Sequence, residues 1–376
     1  MELWNRCWAF AKLFLLFLGF LSAGLVKGDC ECGYSTNIGG VDGAPKREYV
    51  FTDLLETNFL RLNDISANTD WQRQEFNISK DAARGDYGEM FLPAGIEASP
   101  AGAKSGDGDD SGLKLVVRSG LVDGMVPVAE IDSYRPDLSF GSFRASMKMT
   151  DIPGTCAAFF WYFNDTQEID MEFLSREFNS SNSTYPVNLV LQSRASLATH
   201  DASSTGYFIK ANLPFNPTTD FHEYRIDYIH GQVFFYADGA VLAQMNGSAV
   251  PTSPGHLVLQ HWSNGNALWS GGPPARDAVL TVEYVKAYFN SSLSQRAQDW
   301  RGRCRDPYAE NAVCDIPSFD GKNSSVRDWF FSGHGNMTNN QTVSNENSGS
   351  SLVRRGELVT VMGGFFLASG WVTGLW

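Results

Sequence analysis

Through the middle of the chain, apolar and polar positions alternate with a period of two, interrupted at short intervals by turn residues. Over residues 142–149, polar Ser142, Arg144, Ser146 and Lys148 alternate with apolar Phe143, Ala145, Met147 and Met149, as in a half-buried strand. Residues 157–163 are continuously apolar, which predicts a central strand covered on both faces. After the turn-like Asn164-Asp165-Thr166-Gln167, the alternation returns in Glu168-Ile169-Asp170-Met171-Glu172-Phe173. More strands are expected at 187–192, 222–229, 232–237, 240–245, 257–262 and 280–289, with an Asp238-Gly239 turn joining two of them. Residues 93–112 read as a loop rich in Gly, Ala and Asp, and residues beyond Asn290 as an extension outside the core. The pattern predicts an all-β fold: a two-sheet antiparallel β-sandwich.

The acidic strand carries the chemistry. Successive strand side chains point to opposite faces, so Glu168, Asp170 and Glu172 share one face and Ile169, Met171 and Phe173 the other. Three carboxylates in a row repel one another, so folding gives no reason to keep them. Paired carboxyls with separated proton affinities are the working parts of glycoside hydrolysis. Glu168 and Glu172 are the candidates for nucleophile and acid/base, in an order that spacing leaves open, with Asp170 tuning its neighbours. A solvated acidic edge strand is the bland alternative, and the run of aromatics beside it makes a poor neighbour for a solvated face.

Composition narrows the partners. At 376 residues and 43% hydrophobic, the chain can bury one large core or two small ones. The formal charge of −13 opposes nucleic acid, which needs a basic footprint, and suits a neutral carbohydrate. Arg6 and Lys12 precede an apolar run over 13–25, so residues 1–28 read as a secretory signal peptide. The sequons at Asn77, Asn164, Asn179, Asn182, Asn246, Asn290, Asn323, Asn336 and Asn340 agree with an exported glycoprotein. Of the cysteines beyond the signal, Cys30 and Cys32 against Cys304 and Cys314 could staple the ends of the domain in any of three pairings. Cys156 is left as a buried thiol, and no histidine cluster accompanies the others to favour zinc. The expected organisation is a β-sandwich domain over 29–290, a Cys-containing extension over 291–320, a Ser- and Asn-rich linker over 321–357 and a hydrophobic tail over 358–376. The tail, preceded by small residues at Asn347, Ser348 and Gly349, reads as a lipid-anchor signal, with a membrane span as its rival. Arg354 and Arg355 lie on the lumenal side, against the usual charge bias of a span.

The segments FGSFRASMKM, CAAFFWYF and EIDMEF, followed by FHEYRIDYIHGQVFFYADG and GHLVLQHWSNGNALW, resemble glycoside hydrolase family 16, the lichenase and laminarinase group with a concanavalin A-like jelly roll. The resemblance runs from about Asp86 to Phe289 and implies Glu168 as nucleophile, Asp170 as assistant and Glu172 as acid/base. With no extra residue before its last Glu, the motif is similar to the lichenase and transglycosylase branches rather than the bulged laminarinase branch. It further implies that Trp262, Trp269 and Gln260 line a sugar cleft. A direct turn before the acidic strand would pair Trp161 with Asp170 and put Phe159, Trp161 and Phe163 on the acid face. The family pattern instead points Phe160 and Tyr162 at the sugar, and one bulge reconciles the two; that orientation is taken here. The chain departs from the family at Thr166, Ser146 and Val190, which weakens any expectation of strict mixed-linkage specificity. His222 and His261 lie in strands without a partner acid at useful spacing and read as structural.

The expected protein is thus a retaining endo-β-glucanase acting on β-1,3 or β-1,3-1,4-glucan. It would be a monomer, secreted or held at the cell surface or wall, and reach the membrane only through its C-terminal anchor. No cofactor or catalytic metal is expected, a structural calcium being the one cation compatible with the reading. The rival activities are a cell-wall glucan or chitin transglycosylase using the same carboxylates, a non-catalytic lectin and a glycosylated wall protein.

Overall fold

The computed structural model describes residues 28–40, 46–102, 110–199, 202–319 and 323–337. Residues 1–27 of the expected signal peptide, most of the expected linker and the entire hydrophobic tail lie outside the described residues. Among those described, no helix is long and apolar enough to cross a membrane.

Two sheets pack face to face as a jelly roll. The site sheet runs Phe208–Asn212, Pro186–Gln192, Gln167–Leu174, Cys156–Asn164, His256–Trp262, Met125–Ser133, Gly88–Phe91 and Phe76–Ile78, with Trp71–Arg73 also paired to Met125–Ser133. The back sheet runs Ala240–Asn246, Gln232–Ala237, His222–Ile229, Leu138–Lys148, Ala278–Ser291, Gly112–Val117 and Ile96–Ser99, with Asp53–Asn58 on the far half of Ala278–Ser291. Asp238 and Gly239 both adopt positive φ, as the tight hairpin turn requires.

The alternation sorts side chains as its period demands. Ile169, Met171 and Phe173 enter the core with Phe159, Trp161 and Leu189 from neighbouring strands, and meet Phe143, Ala145 and Met147 of the back sheet. Trp161 is fully buried, and its indole N–H donates to the Leu138 carbonyl at 3.1 Å, so its polar atom is satisfied.

Two expectations need correction. The segment 93–112 is not all loop: Pro93–Gly95 forms a 3-10 turn and Ile96–Ser99 a strand paired to Gly112–Val117. Its apolar signal is one buried side chain, Ile96, too little to mark a strand by pattern. The strand expected at 142–149 is also not half-buried, since Ser142, Arg144 and Ser146 are buried on its polar side too. What covers them is the extension together with the N-terminal segment. Gly33–Ile38, Arg47–Phe51 and Val313–Asp315 form a small third sheet, and Tyr34, Phe51, Ile316 and Phe331 gather in a second core over the back sheet. Arg144 donates to the Pro317 carbonyl at 2.8 Å and lies over the Tyr288 ring. Lys286 donates to the carbonyls of Val326 and Arg327 between the rings of Tyr284 and Phe330. Polar positions can therefore be fully covered here because each charge finds carbonyls and ring faces. Two disulfides, Cys30–Cys314 and Cys32–Cys304, select one of the three pairings, and Cys156 is the free, buried thiol.

Candidate active site

The acidic strand Gln167–Leu174 pairs with Cys156–Asn164 so that Ala158 opposes Glu172, Phe160 opposes Asp170 and Tyr162 opposes Glu168. A register shift between Tyr162 and Asn164 supplies the extra residue. Directly opposed residues share a face, so Phe160 and Tyr162 lie with the acids while Phe159 and Trp161 fall into the core. On the other flank Asn188, Val190 and Gln192 oppose Glu172, Asp170 and Glu168. Phe160 packs with Ala158, Val258 and the half-buried Tyr162 in a small apolar patch separate from the core. The Tyr162 ring meets His256 edge-on at 5.6 Å, and its hydroxyl donates to Asp165 at 2.8 Å.

Burial dominates the electrostatics. It pushes Glu168 up to about 8, while a hydrogen bond from Asp170 opposes the rise. Burial raises Asp170 too, and there the same hydrogen bond acts upward. The interaction between the two thus favours the charged form of Glu168 and the protonated form of Asp170. Gln192 steadies the pair, donating from Nε2 to Asp170 Oδ2 at 3.4 Å. Glu172, only 5% exposed, receives the Trp269 indole N–H at 3.4 Å and the Cys156 thiol at 3.8 Å on Oε1. Such a face can hold one carboxyl ionised beside another that keeps its proton.

Residues 105–286 match the model of "Glycosyl hydrolases family 16". That segment is a family 16 domain. The chain is 29% identical over 139 residues to a "Beta-glucanase" of Paenibacillus polymyxa, covering 35% of this chain and 52% of that protein. It is 25% identical over 151 residues to "Congo red hypersensitive protein 1" of Saccharomyces cerevisiae, covering 39% of this chain and 26% of that protein. The chain thus spans about half the length, or less, of these curated relatives. The fold is similar to that of an endo-beta-1,3-glucanase from Pyrococcus furiosus, with a TM-score of 0.50 and 15% identity over 67% of this chain and 97% of that one.

Within the family 16 domain, the remaining expected residues fall into two groups. Trp262 and Trp269 are 2% and 5% exposed and pack in an apolar cluster with Cys156, Leu174 and Phe91. Gln260 is buried on the acid face, where its amide donates to Glu130. Of the departures, Val190 lies opposite Asp170, whereas Ser146 lies on the back sheet and donates to Glu283 at 2.7 Å.

A second acidic row went unforeseen. Glu130 and Asp132 continue the face across His256–Trp262, opposite Gln260 and Val258, with Glu89 on the strand beyond. All three are buried; burial pushes Glu89 and Glu130 up to about 8 and raises Asp132. A signal existed, since Glu130-Ile131-Asp132 repeats the acid-Ile-acid spacing of Glu168-Ile169-Asp170. Asn188 was also missed. It is buried beside Glu172 with neither amide atom hydrogen-bonded.

The two histidines serve structure. His261 is buried between the Leu115 carbonyl at 2.8 Å and the Thr155 hydroxyl at 2.9 Å. His222 does have a partner acid, which corrects the expectation: its Nδ1 lies 2.7 Å from Asp238, across the hairpin, and its ring stacks on Phe215. His222 itself lies on the back sheet, away from the acid face. Among the described residues no group of three or more His, Cys, Asp or Glu side chains is disposed to hold a metal ion.

Proposed function

We propose that this protein is a retaining endo-β-glucanase that cleaves β-1,3 or β-1,3-1,4-glucan by double displacement. The observation that carries the reading is the acid row itself: Glu168, Asp170 and Glu172 on one face, opposed by Phe160 and Tyr162. In the first step the Glu168 carboxylate bonds to the anomeric carbon. The glycosidic C–O bond breaks, and its oxygen takes the electron pair and the Glu172 proton. In the second, Glu172 removes a proton from water, the water oxygen bonds to the anomeric carbon and Glu168 leaves as carboxylate. Asp170, in its protonated form, donates to the Glu168 carboxylate before attack and again as it leaves. The names of the curated relatives support the substrate class, and the ring of the half-buried Tyr162 suits a pyranose face. The leader, the sequons and the hydrophobic tail support export and lipid anchoring at the cell surface.

The test is incubation of the folded protein with lichenan, laminarin and chitin-derived oligosaccharides beside Glu168→Gln and Glu172→Gln. Each substitution is expected to cost at least about 100-fold in turnover of unactivated glucan while the circular dichroism stays native. Rates like wild type in either variant would sink the mechanism. Mass gained by a labelled acceptor sugar would assign the second step to transfer rather than hydrolysis, and binding without any turnover would leave a lectin.

A further inference from the structure

We propose that Trp269 and Cys156 are positioning residues for Glu172, gripping one oxygen of its carboxyl so that the proton is delivered to the glycosidic oxygen and not to solvent. This rests on the glycosidase reading above. A Glu side chain has several rotatable bonds, and an acid catalyst is useful only where its proton points at the leaving oxygen. Two donors from different elements converge on the same atom, Glu172 Oε1: the Trp269 indole N–H at 3.4 Å and the Cys156 S–H at 3.8 Å.

Both donors are themselves held. Trp269 sits in the loop after His256–Trp262; its amide donates to the Asn266 carbonyl at 3.0 Å and its carbonyl accepts from Arg176 at 3.2 Å. The same Asn266 carbonyl takes the Gly271 amide at 2.7 Å, which ties the loop back on itself. The Trp269 ring is packed in the Cys156 and Trp262 cluster, and at 5% exposure it offers little face for a sugar to stack on. Cys156 is fully buried at the start of the strand that opposes the acids. Burial raises its thiol, so the sulfur keeps the hydrogen it donates. The indole is the stronger donor and carries the larger share of the grip.

The experiment compares leaving groups. A dinitrophenyl glycoside departs without a proton, whereas an unactivated glucan bond needs Glu172. Loss of grip therefore slows the second and spares the first, while general damage slows both. Trp269→Phe is expected to lower kcat/KM on laminari- or licheno-oligosaccharide about tenfold with the dinitrophenyl glycoside nearly unchanged. Removing a donor destabilises the Glu172 carboxylate, so the alkaline limb of the pH profile should move to higher pH. Cys156→Ala should shift both readouts the same way by less, about threefold in rate, and Cys156→Ser, which restores an O–H donor, should recover most of it. Equal losses on both substrates in Trp269→Phe, or identical behaviour of Cys156→Ser and Cys156→Ala, would overturn the proposal. If Trp269→Phe does not fold, as thermal melting would reveal, the two Cys156 variants decide the matter by themselves. Glu172→Gln run alongside separates the cases: retained turnover of the unactivated sugar there would remove the glycosidase reading itself.

Discussion

Replacing Glu130 by Gln should flatten the pH dependence of stability. Glu130 is fully buried, accepts a hydrogen bond from Gln260, and is pushed by burial from the ordinary carboxyl range near 4.5 up to about 8. A folded-state value above the unfolded one means that the native protein holds a proton which the unfolded chain releases. The stabilisation is complete below about pH 4.5 and is lost as pH rises through about 8. Between those limits one such group contributes a slope of about 1.4 kcal/mol per pH unit, with stability falling as pH increases. Glu89, also near 8, adds a slope of the same sign. Glutamine is neutral in both states, so Glu130→Gln removes one group's share: relative to wild type it should gain about 3 kcal/mol between pH 5.5 and 7.5, on top of any constant offset. Guanidinium unfolding followed by tryptophan fluorescence at three pH values in that interval measures the difference. Parallel stability curves for variant and wild type would show that Glu130 ionises normally in the folded protein and refute the reasoning.

Two further perturbations test the frame around the site. Phe159→Ala removes a fully buried ring from the core face of the strand opposing the acids and should cost about 3–5 kcal/mol, read as a lowered denaturant midpoint. An effect below about 1 kcal/mol would mean that the register assigned to that strand is wrong. Cys32→Ser with Cys304→Ser opens a link spanning 272 residues and should cost about 2–5 kcal/mol, seen as a lower Tm than that of the control Cys156→Ser, which keeps both disulfides.

The centre of the fold was legible because long strands with strict period two leave few alternatives. His222–Ile229 and Gln232–Ala237 have the bounds their patterns set, and the tight turn after the second follows from Asp238-Gly239. The first third of the chain was opaque for an equally physical reason. Trp71–Arg73 and Phe76–Ile78 are strands of three residues, too short for a period to show, and they are held by neighbours distant in sequence. Arg144 misled because alternation reports only that a face is polar, not that a later segment will cover it with carbonyls. In the site, the acid row could be read from one strand alone, whereas Glu89 joins it only through a parallel pairing that no local pattern encodes. Glu130 and Asp132 were readable and overlooked, since their strand repeats the acid spacing before any aromatic run draws notice to it.

The cystine bonds at Cys30 and Cys32 also decide how the molecule answers a tug on its far end. Tension arriving from beyond residue 337 would first peel away Phe331 and the short turns around it, and then stop at Cys314, which is covalently tied to Cys30. The strand that carries Glu168 and Glu172 lies outside that path. A pull on that end is borne at the disulfide while the acidic strand feels none of the strain.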